Sequence, residues 1–195
     1  IHGYRSLNHI QNDLLRGLNS SGDCNIDVNC PLGIGWDNEI RSVAMIVVGG
    51  NGICSGALVN NTCNDGTPYF LTANHCLGGS TGSWAFRFNW QSPPGTESCA
   101  TTVGSVDPGP PYDQTANGAT TLVSSAASDF ALLEITNMTL SIAQNWNCFF
   151  AGWDASDLTT VTQATGIHHP SGDVKKICRE NNYSRISQQR KCQSA

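Results

Sequence analysis

Residues 53–76 read ICSGALVNNTCNDGTPYFLTANHC, in which two short apolar runs flank a segment rich in Asn, Asp, Gly and Pro. Apolar runs with alternating polarity favour strands, and the intervening residue types favour turns. Similar runs recur along the chain, at residues 40–49, 53–60, 69–73, 84–91, 119–125 and 130–136. Six short strands in about a hundred residues predict an all-β fold, an antiparallel barrel or sandwich.

Three further regions lie before and after these runs: a lead-in segment, a connector and a second β unit. Residues 1–23 are polar, with a short helical pattern that ends in a Gly/Ser turn, and are interpreted as a lead-in segment. Residues 136–146 are interpreted as a connector. The stretches CFFAGWD, residues 148–154, and VTQATGIHHP, residues 161–170, predict the opening strands of a second β unit.

Composition narrows the class of protein. With 195 residues the chain fits one medium domain, or one domain and part of a second. Only 13% of residues are charged, and the abundance of Gly and Pro is typical of secreted all-β proteins. A net charge of -5 argues against a nucleic-acid partner or an anionic membrane surface, and no apolar run is long enough to predict a membrane span.

Cysteine usage points to an oxidising compartment. The nine cysteines have neither the paired CxxC spacing nor the histidine spacing of zinc sites, so disulfides in an exported protein are expected. Since nine is odd, at least one cysteine lacks a partner within residues 1–195.

The histidine at the end of the opening stretch, His75, invites three interpretations: a buried structural residue, a metal ligand or a catalytic base. A catalytic histidine needs a carboxylate that fixes its tautomer and a hydroxyl or thiol to activate. Asp129 directly precedes the apolar run 130–135 and is a candidate carboxylate. Spacing alone leaves the alternative open that Asp129 only caps a turn.

Several blocks of the sequence resemble trypsin-like serine proteases, and within them the bacterial lysyl endopeptidase branch. The blocks occur in the order found in that family over residues 22–178, and they read GDCNIDVNCP, YFLTANHC, SDFALLE, FAGWD and IHHPSGDVKKI. The resemblance implies a double antiparallel β-barrel with His75 as general base and Asp129 as the carboxylate that orients it. It also implies that the first barrel is complete and the second only begun.

This resemblance divides the chain into four parts. Residues 1–23 are the lead-in segment and a candidate propeptide remnant, and residues 24–135 form the first barrel with His75 and Asp129. Residues 136–147 connect the barrels, and residues 148–195 begin the second barrel.

One part of the family pattern is missing from residues 1–195. The nucleophilic serine of the family lies in a G-x-S-G-x-P motif, which this sequence does not contain. Ser171 in HHPSGDV lies upstream of where that serine belongs and is not favoured as nucleophile. In the chymotrypsin template the serine follows the aspartate by roughly 90 residues, so the chain is expected to be the N-terminal portion of the enzyme.

The resemblance also implies disulfides and partners. It pairs Cys54 with Cys76 and Cys30 with Cys99, and it joins Cys24 to a cysteine outside this chain. By elimination only, Cys63 is left with Cys148, and Cys178 with Cys192. A second chain that carries the rest of the second barrel, linked through Cys24, is therefore an expected partner.

The expected function is that of a secreted serine endopeptidase that cleaves protein or peptide substrates after Lys or another basic residue, without cofactor or metal. One alternative is a catalytically inactive protease homologue, or a gene fragment, that acts as a secreted binding protein. Another is a carbohydrate-binding module that uses Trp84 and Trp90 as its platform. A metal site at His168 and His169 is not favoured, because adjacent strand residues point to opposite faces.

Overall fold

The computed structural model describes residues 18–22, 25–99, 104–156 and 163–180. The strands are β1 (Ile26–Asp27), β2 (Val43–Val48), β3 (Asn51–Val59), β4 (Tyr69–Thr72), β5 (Ala85–Phe88), β6 (Thr115–Asn117), β7 (Ala119–Ser125), β8 (Phe130–Ile135), β9 (Ala164–His168) and β10 (Lys176–Glu180). The helices are α1 (Asp37–Ser42) and α2 (Leu140–Asn145), and 3₁₀ turns occur at Pro31–Gly33, Asn74–Cys76, Thr81–Ser83 and Pro170–Gly172. No described helix is long and apolar enough to cross a bilayer.

The larger sheet confirms the all-β class predicted from the sequence. Its seven antiparallel strands lie in the order β6-β5-β2-β3-β4-β8-β7. Each of the six predicted runs overlaps one of these strands, β2, β3, β4, β5, β7 or β8, and β3 begins before its run, at Asn51. Residues 40–42 of the first run instead belong to α1, which ends where the Val- and Ile-rich part of the run begins.

The sheet curls because its two edge strands are consecutive in the chain. β6 pairs with β5 and β7 pairs with β8, and only Gly118 separates them. Gly118 has a φ of +79°. Its N–H donates to the Trp84 carbonyl at 2.8 Å, and its carbonyl accepts from the Thr136 N–H at 3.0 Å. A Cβ here would lie 2.7 Å from the Thr136 hydroxyl, so glycine is required where the strand turns the corner.

Alternating side chains of this sheet form the main core. In β8 every second residue is buried, ending with Leu133 and Ile135, as the period of two along a strand requires. Phe70 of β4 meets Phe86 of β5 edge to face, with ring centroids 4.9 Å apart. Trp84 is fully buried in the same cluster, and Trp90 is buried in a second one. The two tryptophans therefore do not form the exposed carbohydrate platform that was considered as an alternative.

The second sheet has three antiparallel strands in the order β1-β10-β9. β9 lies within the predicted run 161–170, whereas β10 was not predicted from the sequence. Because β1 pairs Asp27 with Lys176, a strand from the segment predicted as first barrel contributes to this sheet. The predicted domain boundaries themselves stay predictions.

The stretch Cys148–Asp154 does not open the second sheet, so that prediction is wrong. It contains only an isolated parallel bridge, from Ala151 to Val59 at the end of β3. Backbone hydrogen bonds from the Ala151 N–H to Leu58 and from the Asn60 N–H to Ala151 attach it to the first sheet. The apolar pattern of the segment reflects packing on that sheet, because Cys148 and Phe150 contact its core.

Two charged side chains of the second sheet, those of Asp27 and Lys176, are buried. The Lys176 ammonium, 3% exposed, donates to Asp27 and Ser105 and lies 3.7 Å from an Asp173 oxygen. Asp27 also accepts hydrogen bonds from the hydroxyls of Ser105 at 2.9 Å and Ser92 at 2.8 Å. A buried ion pair needs such additional donors to offset the loss of hydration. The network connects β1 and β10 with the loops after β5.

We expect Asp27→Ala to lower the free energy of unfolding by about 3 kcal/mol, because it leaves the buried Lys176 charge without its nearest carboxylate. Denaturant unfolding measures the change. The exposed Asp113, replaced by Ala as control, should change stability by less than about 0.5 kcal/mol. In Asp27→Ala/Lys176→Met the buried charge is gone, so much of the stability should return. Equal losses in Asp27→Ala and Asp113→Ala would contradict the structural role of this ion pair.

Candidate functional site

The pairing of β4 with β8 brings two candidate residues together. The strands run antiparallel, with Thr72 opposite Ala131, so the residues after β4 and those before β8 lie at the same end of the sheet. His75 lies in the 3₁₀ turn Asn74–Cys76 directly after β4, and Asp129 directly precedes β8. Residues 54 positions apart in the chain thus become neighbours.

Asp129 contacts His75 at two points. One carboxylate oxygen, Oδ2, lies 2.7 Å from the ring nitrogen Nδ1, and the other, Oδ1, accepts the backbone N–H of His75 at 2.9 Å. The backbone of Asp129 is left-handed, with φ +52°, a conformation that Asp tolerates better than most residues. Two anchoring contacts on one carboxylate fix both the imidazole and the turn that carries it. Sequence reasoning did not predict the backbone contact, since no pattern of side chains encodes it.

The electrostatics of the pair keep the carboxylate charged. Hydrogen bonds from the His75 side chain and backbone lower the pKa of Asp129. An ionised carboxylate only accepts, so the proton of the imidazole is held on Nδ1 and the lone pair is left on Nε2. The His75 side chain is 69% exposed and that of Asp129 31%, so Nε2 is accessible to a reacting group. Of the three interpretations of His75, burial in a core is therefore excluded.

A disulfide holds the turn that carries His75. Cys76 is buried and bonded to Cys54 on β3, across a loop of 22 residues. The sulfurs of this pair and the ring of His75 lie within 4.8 Å of one another, a spacing typical of metal ligands. Because both sulfurs are bonded to each other, neither offers the thiolate that a metal would require. The cluster is a structural support for His75.

The structure also tests the other cysteine pairings in part. Cys30 is bonded to Cys99, as the resemblance implies. The pairing of Cys63 with Cys148 is not formed: Cys63 is exposed in the turn after β3, whereas Cys148 packs against the main core. Burial accordingly raises the pKa of the Cys148 thiol to about 11. Cys24 and Cys192 lie outside the described residues, so the role of Cys24 and the pairing of Cys178 with Cys192 stay predictions.

Elements of the second unit lie beside the site. The His169 N–H donates to the Ser55 hydroxyl of β3 at 2.7 Å, next to the disulfide of Cys54. The His169 ring is buried, and its Nδ1 lies 3.0 Å from the Asp173 carbonyl, which fixes the ring beside β3. Ser171 follows in the turn Pro170–Gly172, and among the described residues no hydrogen bond connects it to His75.

The arrangement can accept a proton. With Nδ1–H held by the carboxylate of Asp129, Nε2 can take a proton from a hydroxyl, and the ionised Asp129 stabilises the imidazolium that results. The described residues place no serine hydroxyl within hydrogen-bonding distance of His75. The pair has the geometry of a base and its orienting group, which are two of the three parts of a nucleophilic triad.

Comparison with known proteins places these residues in a family. The family model described as "Lysyl endopeptidase, C-terminal domain" matches residues 18–195. A lysyl endopeptidase of Pseudomonas aeruginosa is 28% identical over 173 residues, which cover 85% of this chain. The chain spans 36% of the length of that relative. With a match that includes both β-sheets, His75 and Asp129, the chain belongs to the lysyl endopeptidase family of proteases.

Proposed function

We propose that this chain supplies the general base, His75, and the orienting carboxylate, Asp129, of a secreted serine endopeptidase. The two-point contact of Asp129 with the backbone and ring of His75 is the observation that carries the proposal. A carboxylate that only capped a turn would need no contact with the imidazole. Here it sets the tautomer that a base requires.

The nucleophile in this proposal is a serine outside residues 1–195. The absence of a G-x-S-G-x-P motif from these residues supports it. Ser171 is a poor candidate, because its turn packs against β3 and no hydrogen bond joins it to His75 among the described residues. Whether the serine belongs to the same polypeptide or to a second chain joined through Cys24 remains a prediction, since Cys24 lies outside the described residues.

In the proposed mechanism the serine hydroxyl gives its proton to Nε2 of His75 as its oxygen attacks the scissile carbonyl. Asp129 stabilises the imidazolium during this step. His75 then returns the proton to the leaving amine, and water repeats the sequence on the acyl-enzyme. This cycle uses protein groups alone and hydrolyses a peptide bond of a protein or peptide substrate.

The preferred substrate position is proposed from the family. The name of the Pseudomonas relative states cleavage at lysine, and we propose cleavage after Lys or another basic residue for this enzyme. Two disulfides, one of them directly behind the catalytic histidine, support maturation in an oxidising compartment and hence secretion.

A fluorophosphonate that phosphonylates activated serines tests the proposal on the complete natural protein. We expect stoichiometric labelling of one serine outside residues 1–195, and loss of labelling in His75→Gln, which retains a polar side chain but removes the base. Mass spectrometry of the digested protein identifies the labelled residue.

Two outcomes would overturn the proposal. Absence of labelling from a folded protein with an intact Cys54–Cys76 disulfide would favour a catalytically inactive homologue that binds its partners. Labelling that persists in His75→Gln would show that another group activates the serine.

A further inference from the structure

The guanidinium of Arg87, on β5, contacts two aromatic rings. The guanidinium carbon of Arg87 lies 4.0 Å from the ring centroid of Tyr112 and 5.4 Å from that of Trp90. Trp90 is itself buried and stacks on His169, with ring centroids 5.9 Å apart. Cation–π contacts with the two rings fix the plane of the guanidinium. The group is thus positioned before any ligand arrives.

The donors of Arg87 are not used inside the described part of the protein. Its Nε–H is buried and has no hydrogen-bond partner among the described residues. No hydrogen bond or ion pair joins its guanidinium to another residue within the described ranges. A buried donor without an acceptor costs free energy, which a bound acceptor would recover. Arg87 lines a cavity, described below, from which a ligand can reach its N–H groups.

The neighbouring carboxylate, that of Asp107, is not the acceptor for the Arg87 N–H groups, because it already accepts hydrogen bonds from three other donors. Asp107 accepts from Trp90 Nε1 at 3.0 Å, from the Gly109 N–H at 2.9 Å and from the Tyr112 hydroxyl at 2.9 Å. Burial on its own would raise the pKa of Asp107, but these hydrogen bonds and the charge of Arg87 lower it. Asp107 therefore serves to hold Trp90 and Tyr112 in place around the arginine.

A cavity opens over this group. It has a volume of about 370 Å³ and is lined by Arg87, Asn89, Trp90 and the loop at residues 108–114. Neither His75 nor Asp129 is among the residues that line it. The volume suffices for one or two amino-acid side chains, at the small end of ligand pockets. The cavity is separate from the proposed catalytic site.

The chemistry favours a carboxylate as the ligand. A planar carboxylate accepts two parallel N–H···O bonds from a guanidinium in its own plane, a match that the fork of Arg donors favours. Asp107 and the net charge of -5 of the chain repel an anionic ligand. A carboxylate, with one negative charge, is repelled less than a phosphate dianion, with two. Proline and tyrosine walls suit a peptide that bears such a group.

We propose that the Arg87 cavity is an exosite that binds the carboxylate of a peptide, from an acidic side chain or from a chain end. It would hold a segment of a substrate, or of another peptide, away from the catalytic pair. This binding is independent of hydrolysis and is tested without it.

The test measures binding of three acetylated tripeptides to the complete protein by calorimetry and by the NMR signal of the arginine Nε–H groups. The probes are Ac-Ala-Ala-Glu-NH₂ for a side-chain carboxylate, Ac-Ala-Ala-Ala-OH for a chain end and Ac-Ala-Ala-Gln-NH₂ as the neutral control. We expect at least one charged peptide to bind about tenfold or more tightly than the neutral one and to shift the Arg87 Nε–H signal. The peptide that does so identifies the source of the carboxylate.

Variants assign the effect to this arginine. Arg87→Gln should weaken binding of the charged peptide about 10- to 100-fold, and Arg87→Lys by a similar factor because lysine lacks the fork of donors. Arg179→Gln, an equal charge change at an exposed position, should leave binding unchanged. Equal binding of charged and neutral peptides to the wild-type protein, or binding unaltered in Arg87→Gln, would overturn the proposal. The wild-type comparison does not depend on the folding of any variant.

Discussion

Replacing His75 by Ala should lower kcat for peptide hydrolysis by the complete enzyme about 10⁴- to 10⁶-fold, the range seen when the base of a catalytic triad is removed. The ring is exposed and lies outside the core, so the loss should affect the chemical step and not folding. Steady-state kinetics on a chromogenic lysyl peptide measures kcat and KM separately. We expect KM to change little, because the imidazole acts on the nucleophile and does not form the substrate pocket.

Two controls isolate the base from its surroundings. His75→Gln should lose as much activity as His75→Ala, because glutamine retains polarity and size but accepts no proton near neutral pH. Mapping of the Cys54–Cys76 disulfide and the circular dichroism spectrum should match those of the wild-type protein. A folded His75→Ala variant that retains even a tenth of the wild-type kcat would contradict the assignment of the base.

Asp129→Asn should lower kcat about 10⁴-fold, since an amide in this position can donate to Nδ1 and hold the imidazole in the wrong tautomer. The backbone contact to His75 can survive through the amide oxygen, which would keep the turn in place. Asp37→Asn removes the same charge at an exposed position, at the start of α1, and should leave kcat unchanged. Equal activities of these two variants would show that Asp129 acts only as a turn cap.

The pH dependence of stability checks the same contact by a different measurement. The pKa of Asp129 is lowered in the folded protein, so its carboxylate stabilises the fold above its unfolded pKa of about 3.9, and this contribution disappears as the pH falls through the lower folded value. We therefore expect the difference in free energy of unfolding between the wild-type protein and Asp129→Asn to shrink as the pH falls below about 4. A difference that grows as the pH falls through this range would contradict the direction of the shift.

The strands of the first sheet could be predicted from sequence because each buries one face. In β8 the apolar residues alternate along Phe130–Ile135, and the pattern alone gives the buried side. β10 escaped prediction because it begins at Lys176, a buried charged residue that only a partner such as Asp27 makes tolerable. Local composition cannot reveal a partner that lies 149 residues away.

The pairings of cysteines show the same limit. The Cys54–Cys76 and Cys30–Cys99 disulfides matched a family pattern and are present. Cys63 and Cys148 were joined only by elimination, a procedure that ignores direction and burial. In the fold one side chain is exposed in a turn and the other packs on the core, so their sulfurs do not meet.

The sequence by itself determined the all-β class, most strands of the first sheet and the identity of His75 and Asp129 as the residues to examine. These follow from period-two patterning and from short motifs, which are local properties of the chain. Only the tertiary structure decided that Asp129 holds both the ring and the backbone of His75, and that Arg87 contacts Trp90 and Tyr112 and lines a cavity. Both arrangements join residues from separate strands and loops, and their distances are set by strand pairing and packing, which no local pattern encodes.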